Sequence, residues 1–413
     1  MLKKLSLLWQ DIVAVAFIII FALYCNNSLT KGFPQDLHTD ETHWVNHSIL
    51  ETTLLLRPDF TSPYWYLIDP FGSMTPSFGK FAIGLPLLMK ELDHISPNYQ
   101  YYKWKESAIY NWEKGYAAND AAILLSRRII LLYALLALTF IYILIRQISP
   151  SVSLLNILLL STNPLFQFLS THVLMDIFEY AFLFGSALFS IKALKGNIIK
   201  NSAISATLAA VSCSAKMRGG LGLIFLFMII SYLAFVNRKD AESRKMLRKA
   251  VWSGILSFTL VFMILNPSMF VKPIEKSCLF LALNSFQQEG LTQTYPELTL
   301  TTAESKISAI CKYSFIINAN IGFWKLECIL LIPGFYWLIK TFKGKKTNVT
   351  GLTAFYFMIF AINAFWIPLK FPRYFMPFLY SIKLLEACGI FQSIQYLYNV
   401  IKSKMNWSVI NRS

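Results

Sequence analysis

Leu7-Leu-Trp-Gln-Asp-Ile-Val-Ala-Val-Ala-Phe-Ile-Ile-Ile-Phe-Ala-Leu-Tyr24 decides the solvent in which this chain folds. Preceded by Lys3 and Lys4, the run is long enough as a helix to cross a hydrocarbon core of about 30 Å. No small-x-small cleavage motif follows it, so it reads as an uncleaved anchor rather than a signal peptide. The rest of the chain agrees. Of its 413 residues 55% are hydrophobic and 15% charged, with a mean hydropathy of +0.50, too apolar for a soluble domain of this size.

Further apolar runs at about 121–146, 151–169, 173–194, 203–216, 219–236, 250–269, 321–340, 351–369 and 374–398 predict an all-α polytopic membrane protein with about ten spans. Residues 1–413 read as one membrane domain carrying two large loops, 26–120 and 270–320. The first, with its prolines and a tyrosine-tryptophan series from Tyr99 to Tyr116, is expected to lie along the bilayer surface as short helices with no core of its own. The stretch 203–236 is too long for one span and short for two, with Lys216-Met-Arg-Gly-Gly220 at its turn; glycines and cations at membrane depth imply a cavity.

The net charge of +16 would suit nucleic acid, but the basic residues sit between apolar runs, where orientation signals belong, and no nucleic-acid partner is expected. Arg146, Lys192-Lys195-Lys200, the run from Arg238 to Lys249, Lys340 to Lys346 and the tail with Lys402 and Lys404 all fall on one side. They put the N-terminus in the cytoplasm and both large loops outside. Arg127, Arg128, Lys216, Arg218, Lys370 and Arg373 break the pattern, mapping to the outer ends of spans, and read as a site for an anionic ligand such as phosphate.

That outer face also holds Asp36-Leu-His-Thr-Asp-Glu-Thr-His-Trp44, the densest titratable cluster in the sequence. Asp40 and Glu41, flanked by His38 and His43, read as a catalytic pair, against the alternative of a solvated helix start. His38, Asp40 and His43 leave a divalent metal open, though their spacing argues weakly for one. His47 reads as polar surface. Asp176 and Glu179 share a helix face, suited either to pairing with a cation such as Arg128 or to substrate contact. Lys383 and Glu386, with the same spacing, read as a structural pair. The six cysteines include no CxxC, and whether Cys278 and Cys311 pair is open.

Asp40-Glu41 early in the first outer loop, followed by Thr75-Pro-Ser-Phe-Gly-Lys80, resembles the protein O-mannosyltransferase family, glycosyltransferase family 39, and its polyprenyl-phosphate-sugar-dependent relatives of the GT-C fold. The family's His-Pro-Pro-Leu-Gly-Lys-like segment lacks its histidine and one proline here. Arg128, Asp176, Lys216-Met-Arg-Gly-Gly220, Asn266-Pro267 and Arg373-Tyr374 are similar to family features in order and orientation.

The resemblance implies transfer of a sugar from a polyprenyl-phosphate donor to a hydroxyl acceptor on protein, lipid or glycan, at the outer face of a plasma membrane. Asp40 would be the base and Glu41 would orient donor or acceptor groups. Arg128, Lys216, Arg218 and Arg373 would neutralise the phosphate. Lys80 reads as a further donor ligand or a lipid-headgroup contact, and His43 and Asp176 as acceptor or sugar contacts. No cofactor is expected. The alternatives are a flippase or carrier for an anionic or lipid-linked substrate, and an O-antigen-type polymerase using a diphosphate donor.

Overall fold

The computed structural model describes the chain apart from residues 1, 31–32, 35, 60, 67–70, 73–74, 104–105, 271–272, 276, 279, 281–288, 290–292, 294–295, 297–298, 301, 315–323, 344–346, 367–371 and 411–413. Its regular structure is helical. α1 runs Leu2–Ser28, α2 Thr39–Leu56, α3 Phe78–Met89, α4 Ala108–Glu113, α5 Asp120–Arg146, α6 Pro150–Ser161, α7 Pro164–Thr171 and α8 Asp176–Ala193. They are followed by α9 Ile198–Ala215, α10 Leu221–Val236, α11 Ala241–Leu265, α12 Ala303–Ser314, α13 Trp324–Lys343, α14 Thr347–Trp366 and α15 Met376–Ile410.

The described residues of the ten apolar runs fall on helices or on the short segments flanking them, with 151–169 on the pair α6 and α7, bent by 69° at a break. Among the described residues six helices are long and apolar enough to cross a membrane, seven with the bent pair as one span. α8 falls outside that set because Asp176, Glu179 and Lys192 interrupt its apolarity. The chain groups into two compact units. One is residues 1–15, 145–165 and 300–413; the other is 16–144 and 166–299.

In the first unit α13 and α15 pack together, and the buried Lys383 lies 2.8 Å from Glu386 and 3.5 Å from Glu327, so the expected pair is a triad. Lys370 lies outside the described residues. Cys278, in the second unit, and Cys311, in the first, are both exposed free thiols.

In the second unit α9 lies against α8 and α11 through small side chains. Ser205, Ala206, Ala209 and Ala210 are all buried, which lets helix backbones approach closely without large side chains between them. The Ser205 hydroxyl sits 3.0 Å from that of Ser186 and 2.7 Å from that of Ser190, satisfying polar groups that lipid cannot. The stretch that looked short for two spans resolves because α9 starts at Ile198, five residues before the apolar run. α9 ends where Lys216 turns extended (φ −157°, ψ 132°), and a short 3-10 turn, Met217–Gly220, leads into α10. Gly219 is required there, since a Cβ would run into the backbone of Ser212.

The first outer loop is not a surface layer without an interior. α2 packs on α3 at a crossing where Gly84 faces the Ser48 carbonyl and the Thr52 hydroxyl with no room for a Cβ. Val45, Ile49, Trp65, Ile83 and Leu87 are buried. Asn266, closing α11, ties this region to the bundle: its amide donates to Ser214 Oγ (2.8 Å) and the Phe262 carbonyl (2.7 Å), and its oxygen accepts the Ser77 N–H (2.9 Å). Asn266→Ala leaves a buried N–H unpaired, which costs about 1–3 kcal/mol. A melting curve of the purified variant in detergent should shift down by several degrees; an unchanged midpoint would refute this role.

Candidate active site

α2 begins with a reciprocal cap. His38 Nδ1 accepts the Asp40 N–H (3.1 Å) and Glu41 Oε2 accepts the His38 N–H (2.9 Å). The acids are therefore the second and third residues of the helix, where the N-terminal dipole favours negative charge. They are not equivalent. Glu41 is wholly buried while Asp40 keeps 7% exposure.

Both oxygens of Glu41 are occupied. Arg127 on α5 donates Nε to Oε1 (2.9 Å) and Nη2 to Oε2 (2.7 Å), and the Val173 N–H donates to Oε1 (2.8 Å). Arg127 Nη1 reaches the Leu29 carbonyl (3.0 Å) and Asp36 Oδ2 (3.2 Å), and its guanidinium lies over the Phe33 ring. His172 Nε2 sits 3.1 Å from the Asp36 carbonyl. Burial alone would raise the Glu41 carboxyl, but the bidentate Arg127 outweighs it and holds the group below its ordinary value. Burial, together with the charges of Glu41 and Asp40, pushes the neighbouring Tyr102 phenol up to about 12.

One turn along α2, His43 stacks on Phe71 (ring centroids 5.0 Å) and meets Tyr99 and Tyr102 edge-on (5.8 Å each). His47, read from sequence as surface, is buried and packed against Tyr64 and Tyr99, because it lies on the face of α2 turned inward.

A second charged cluster forms where α8 begins. Lys216 Nζ lies 2.7 Å from Asp176 Oδ1, and Arg218 grips both oxygens of Glu179 at 2.8 Å while its Nη2 comes within 3.4 Å of Asp176. The carboxylates are sealed, with side-chain exposures of 2% and 0%, whereas Lys216 and Arg218 keep 32% and 21%. The acids face inward and the cations outward. Ser212 Oγ fixes the frame by donating to the Glu179 carbonyl (2.7 Å).

Several expected placements change. Arg128 is exposed; its neighbour Arg127, a step of about 100° around the helix, is the residue that meets the acids. The cations that pair Asp176 and Glu179 are Lys216 and Arg218 rather than Arg128. Lys80 is fully buried, donating to the carbonyls of Gly72 (2.6 Å) and Thr75 (3.2 Å) and pairing with Glu51, which also accepts the Tyr64 hydroxyl. Arg373 belongs to the other compact unit, with its guanidinium over the Tyr374 ring. Among the described residues no three His, Cys, Asp or Glu side chains converge as a metal site would require. Helical spacing does not separate the two arginines: Leu124, Leu131 and Leu135 give Arg128 as apolar a face as Ile123, Ile130 and Ala134 give Arg127. The Val173 N–H and His172 left no mark in the sequence either.

No protein-family model and no curated protein matches the sequence. Among solved structures the chain is similar to the archaeal oligosaccharyltransferase AglB from Archaeoglobus fulgidus, in complex with an inhibitory peptide and a dolichol-phosphate, at 13% identity and a TM-score of 0.51. The match covers 95% of this chain and 52% of that one. It is also similar to ArnT from Cupriavidus metallidurans in the apo state, at 11% identity and a TM-score of 0.50, covering 91% of this chain and 60% of that one. The chain thus spans between half and three fifths of the length of either structure. The fold is that of the polytopic GT-C membrane enzymes, and the chain is an integral membrane protein.

Removing Arg127 strands a buried carboxylate, so Arg127→Ala should destabilise by about 3–5 kcal/mol, with Glu41→Gln/Arg127→Met costing clearly less than the sum of its single variants. Additive effects in a denaturation cycle would show the pair to be uncoupled. Because Glu41 titrates below its unfolded value of about 4.3, its contribution is complete above that pH and is lost as pH falls through the folded value. Melting temperature in the parent should fall progressively as the pH is taken below about 4.3. Glu41→Gln should flatten that slope; an equal slope in both would rule Glu41 out as its source.

Proposed function

We propose that this protein is a membrane glycosyltransferase that moves a sugar from a polyprenyl-phosphate donor to a hydroxyl acceptor with inversion at the anomeric carbon. The observation that carries the reading is the double attachment of Glu41, to Arg127 and to the Val173 N–H. Val173 is three residues from Asp176, at most about 11 Å along the backbone. One carboxylate therefore fixes the turn bearing Asp40 against the chain that opens into the Asp176–Lys216–Arg218 cluster. A base and a cation pair held in one frame are what a single displacement from a lipid phosphate needs.

Asp40 accepts the proton of the acceptor hydroxyl as its oxygen attacks the anomeric carbon. The bond from that carbon to the phosphate oxygen breaks, and the electron pair leaves with the lipid phosphate. Lys216 and Arg218 neutralise the departing charge. Glu41 serves as a positioning residue, its oxygens being committed, in place of the direct donor or acceptor contact expected of it. His43 and Asp176 border the two halves of the site, as acceptor-side and donor-side contacts respectively. The dolichol-phosphate bound to AglB supports the lipid-phosphate donor class. On this reading the N-terminus is cytoplasmic, loop 26–120 lies on the periplasmic or exterior face of a plasma membrane, and the donor class is that of family 39, with protein, lipid or glycan as acceptor.

In proteoliposomes supplied with a panel of radiolabelled polyprenyl-monophosphate sugars, the parent should transfer label to an acceptor. Asp40→Asn should lose at least about 100-fold in rate while melting like the parent. Lys216→Met should raise the donor KM more than it lowers kcat. Undiminished transfer by Asp40→Asn would remove it from the mechanism. Label crossing the bilayer still on its lipid, equally in both, would make the protein a flippase, and use of diphosphate donors alone would favour the polymerase reading.

A further inference from the structure

Away from the charged clusters, α11 changes character along one stripe. Leu247 and Ala250 are buried in a core shared with Ala193 and Ile198, at the turn between α8 and α9, and with Leu226 and Ile230 of α10. At about 100° per residue, positions 245, 248 and 249 fall on the side of the helix away from that core, and position 244 on its flank. Arg244, Lys245, Arg248 and Lys249 are all exposed there. Further along, the same stripe carries Trp252, 70% exposed, then Leu256, 60% exposed, and Leu260. Cation, then indole, then aliphatic is the order in which a lipid-facing surface passes from headgroup to acyl chain.

The charge on this end is lopsided. The shared core sets the α8–α9 turn beside the start of α11, and that turn adds the exposed Lys192 and Lys195. Of the two acids nearby, Asp240 is committed to the α11 N-terminus, accepting the Glu242 N–H (3.0 Å) and the Ser243 hydroxyl. Glu242 is left as the other counter-charge in the first turn.

We propose that this stripe binds an anionic phospholipid of the surrounding leaflet. Arg248 and Lys249 hold the headgroup phosphate, Arg244 and Lys245 extend the positive field toward water, and the acyl chains run along Trp252, Leu256 and Leu260. A zwitterionic headgroup would leave the excess positive charge unmatched. A soluble polyanion would match the charge but would have no use for an exposed indole and aliphatic continuation directly below it. The site is separate from the proposed sugar transfer and does not depend on it.

The test is native mass spectrometry of the full chain released from nanodiscs of equimolar phosphatidylglycerol and phosphatidylcholine. The parent should retain phosphatidylglycerol with a preference of at least about tenfold. Arg244→Gln/Lys245→Gln/Arg248→Gln/Lys249→Gln should abolish the preference, and Trp252→Ala should lower retention of both lipids. Since four substitutions can disturb insertion, a second measurement uses intact cations. Brominated phosphatidylglycerol should quench tryptophan fluorescence in the parent more than brominated phosphatidylcholine does, and Trp252→Ala should lose that difference. Equal retention of the two lipids by the parent, a preference that survives in an inserted quadruple variant, or quenching indifferent to headgroup would overturn the proposal. So would heparin displacing phosphatidylglycerol equally well from parent and Trp252→Ala, which would identify a soluble polyanion as the occupant.

Discussion

A carboxylate sealed from water at Glu41, holding an equally sealed guanidinium at Arg127, is the constraint around which the outer part of the second unit is arranged. Two buried ions recover little net stability from each other, because desolvation consumes most of their attraction. What the pair supplies is position. Glu41 accepts four hydrogen bonds from three separated stretches: its own helix start at His38, the α5 side chain Arg127, and the Val173 backbone. Any displacement of the first outer loop would break charge-assisted bonds that no water can replace. The neighbouring Asp40 inherits that rigidity while keeping the small opening that Glu41 lacks.

The same device recurs on the face of α2 further along. Lys80 and Glu51 pair inside the loop, with the Tyr64 hydroxyl and two backbone carbonyls completing the shell. A cation that resembled a donor ligand in sequence is thus consumed in holding α3 and the turn before it. The resemblance of Pro76-Ser-Phe-Gly-Lys80 to a family motif is local, and its consequence in this chain is architectural: Ser77 is held by Asn266, and Lys80 by the carbonyls of Gly72 and Thr75.

The apolar runs were legible because the membrane imposes one rule on every helix, an apolar length bounded by charge; the polar extensions of those helices were not, since α11 begins at Ala241, nine residues before its run, and α15 continues to Ile410, twelve beyond its own. The acidic cluster was legible because so many titratable groups in so short a stretch stand out against an apolar background. Pairings were not. Arg127 and Arg128 differ by one position, and only the direction in which α5 turns its buried face separates an ion pair from an exposed cation. Backbone donors such as Val173 N–H carry no side-chain signature at all. The loop's interior was missed for a related reason: His47 reads as polar surface and Tyr102 as part of an interfacial series when each is taken alone, yet both are buried once the loop packs.

The Asp176 and Lys216 cluster carries acids and cations in equal number, Asp176 and Glu179 against Lys216 and Arg218. In a low-dielectric setting, two cations aimed at a ligand site would repel each other and lose hydration if nothing balanced them. The buried carboxylates remove that cost and fix the geometry. Arg218 is bound through two nitrogens to Glu179, whereas Lys216 reaches Asp176 and keeps the greater exposure. For the proposed donor, this asymmetry gives the two cations different tasks. Arg218 keeps its partner and supplies a fixed field. Lys216, on a flexible stem, is the group able to turn from Asp176 toward a phosphate that arrives charged and leaves more charged. Asp176, which steadies the ammonium, is then the acid it returns to once the lipid phosphate departs.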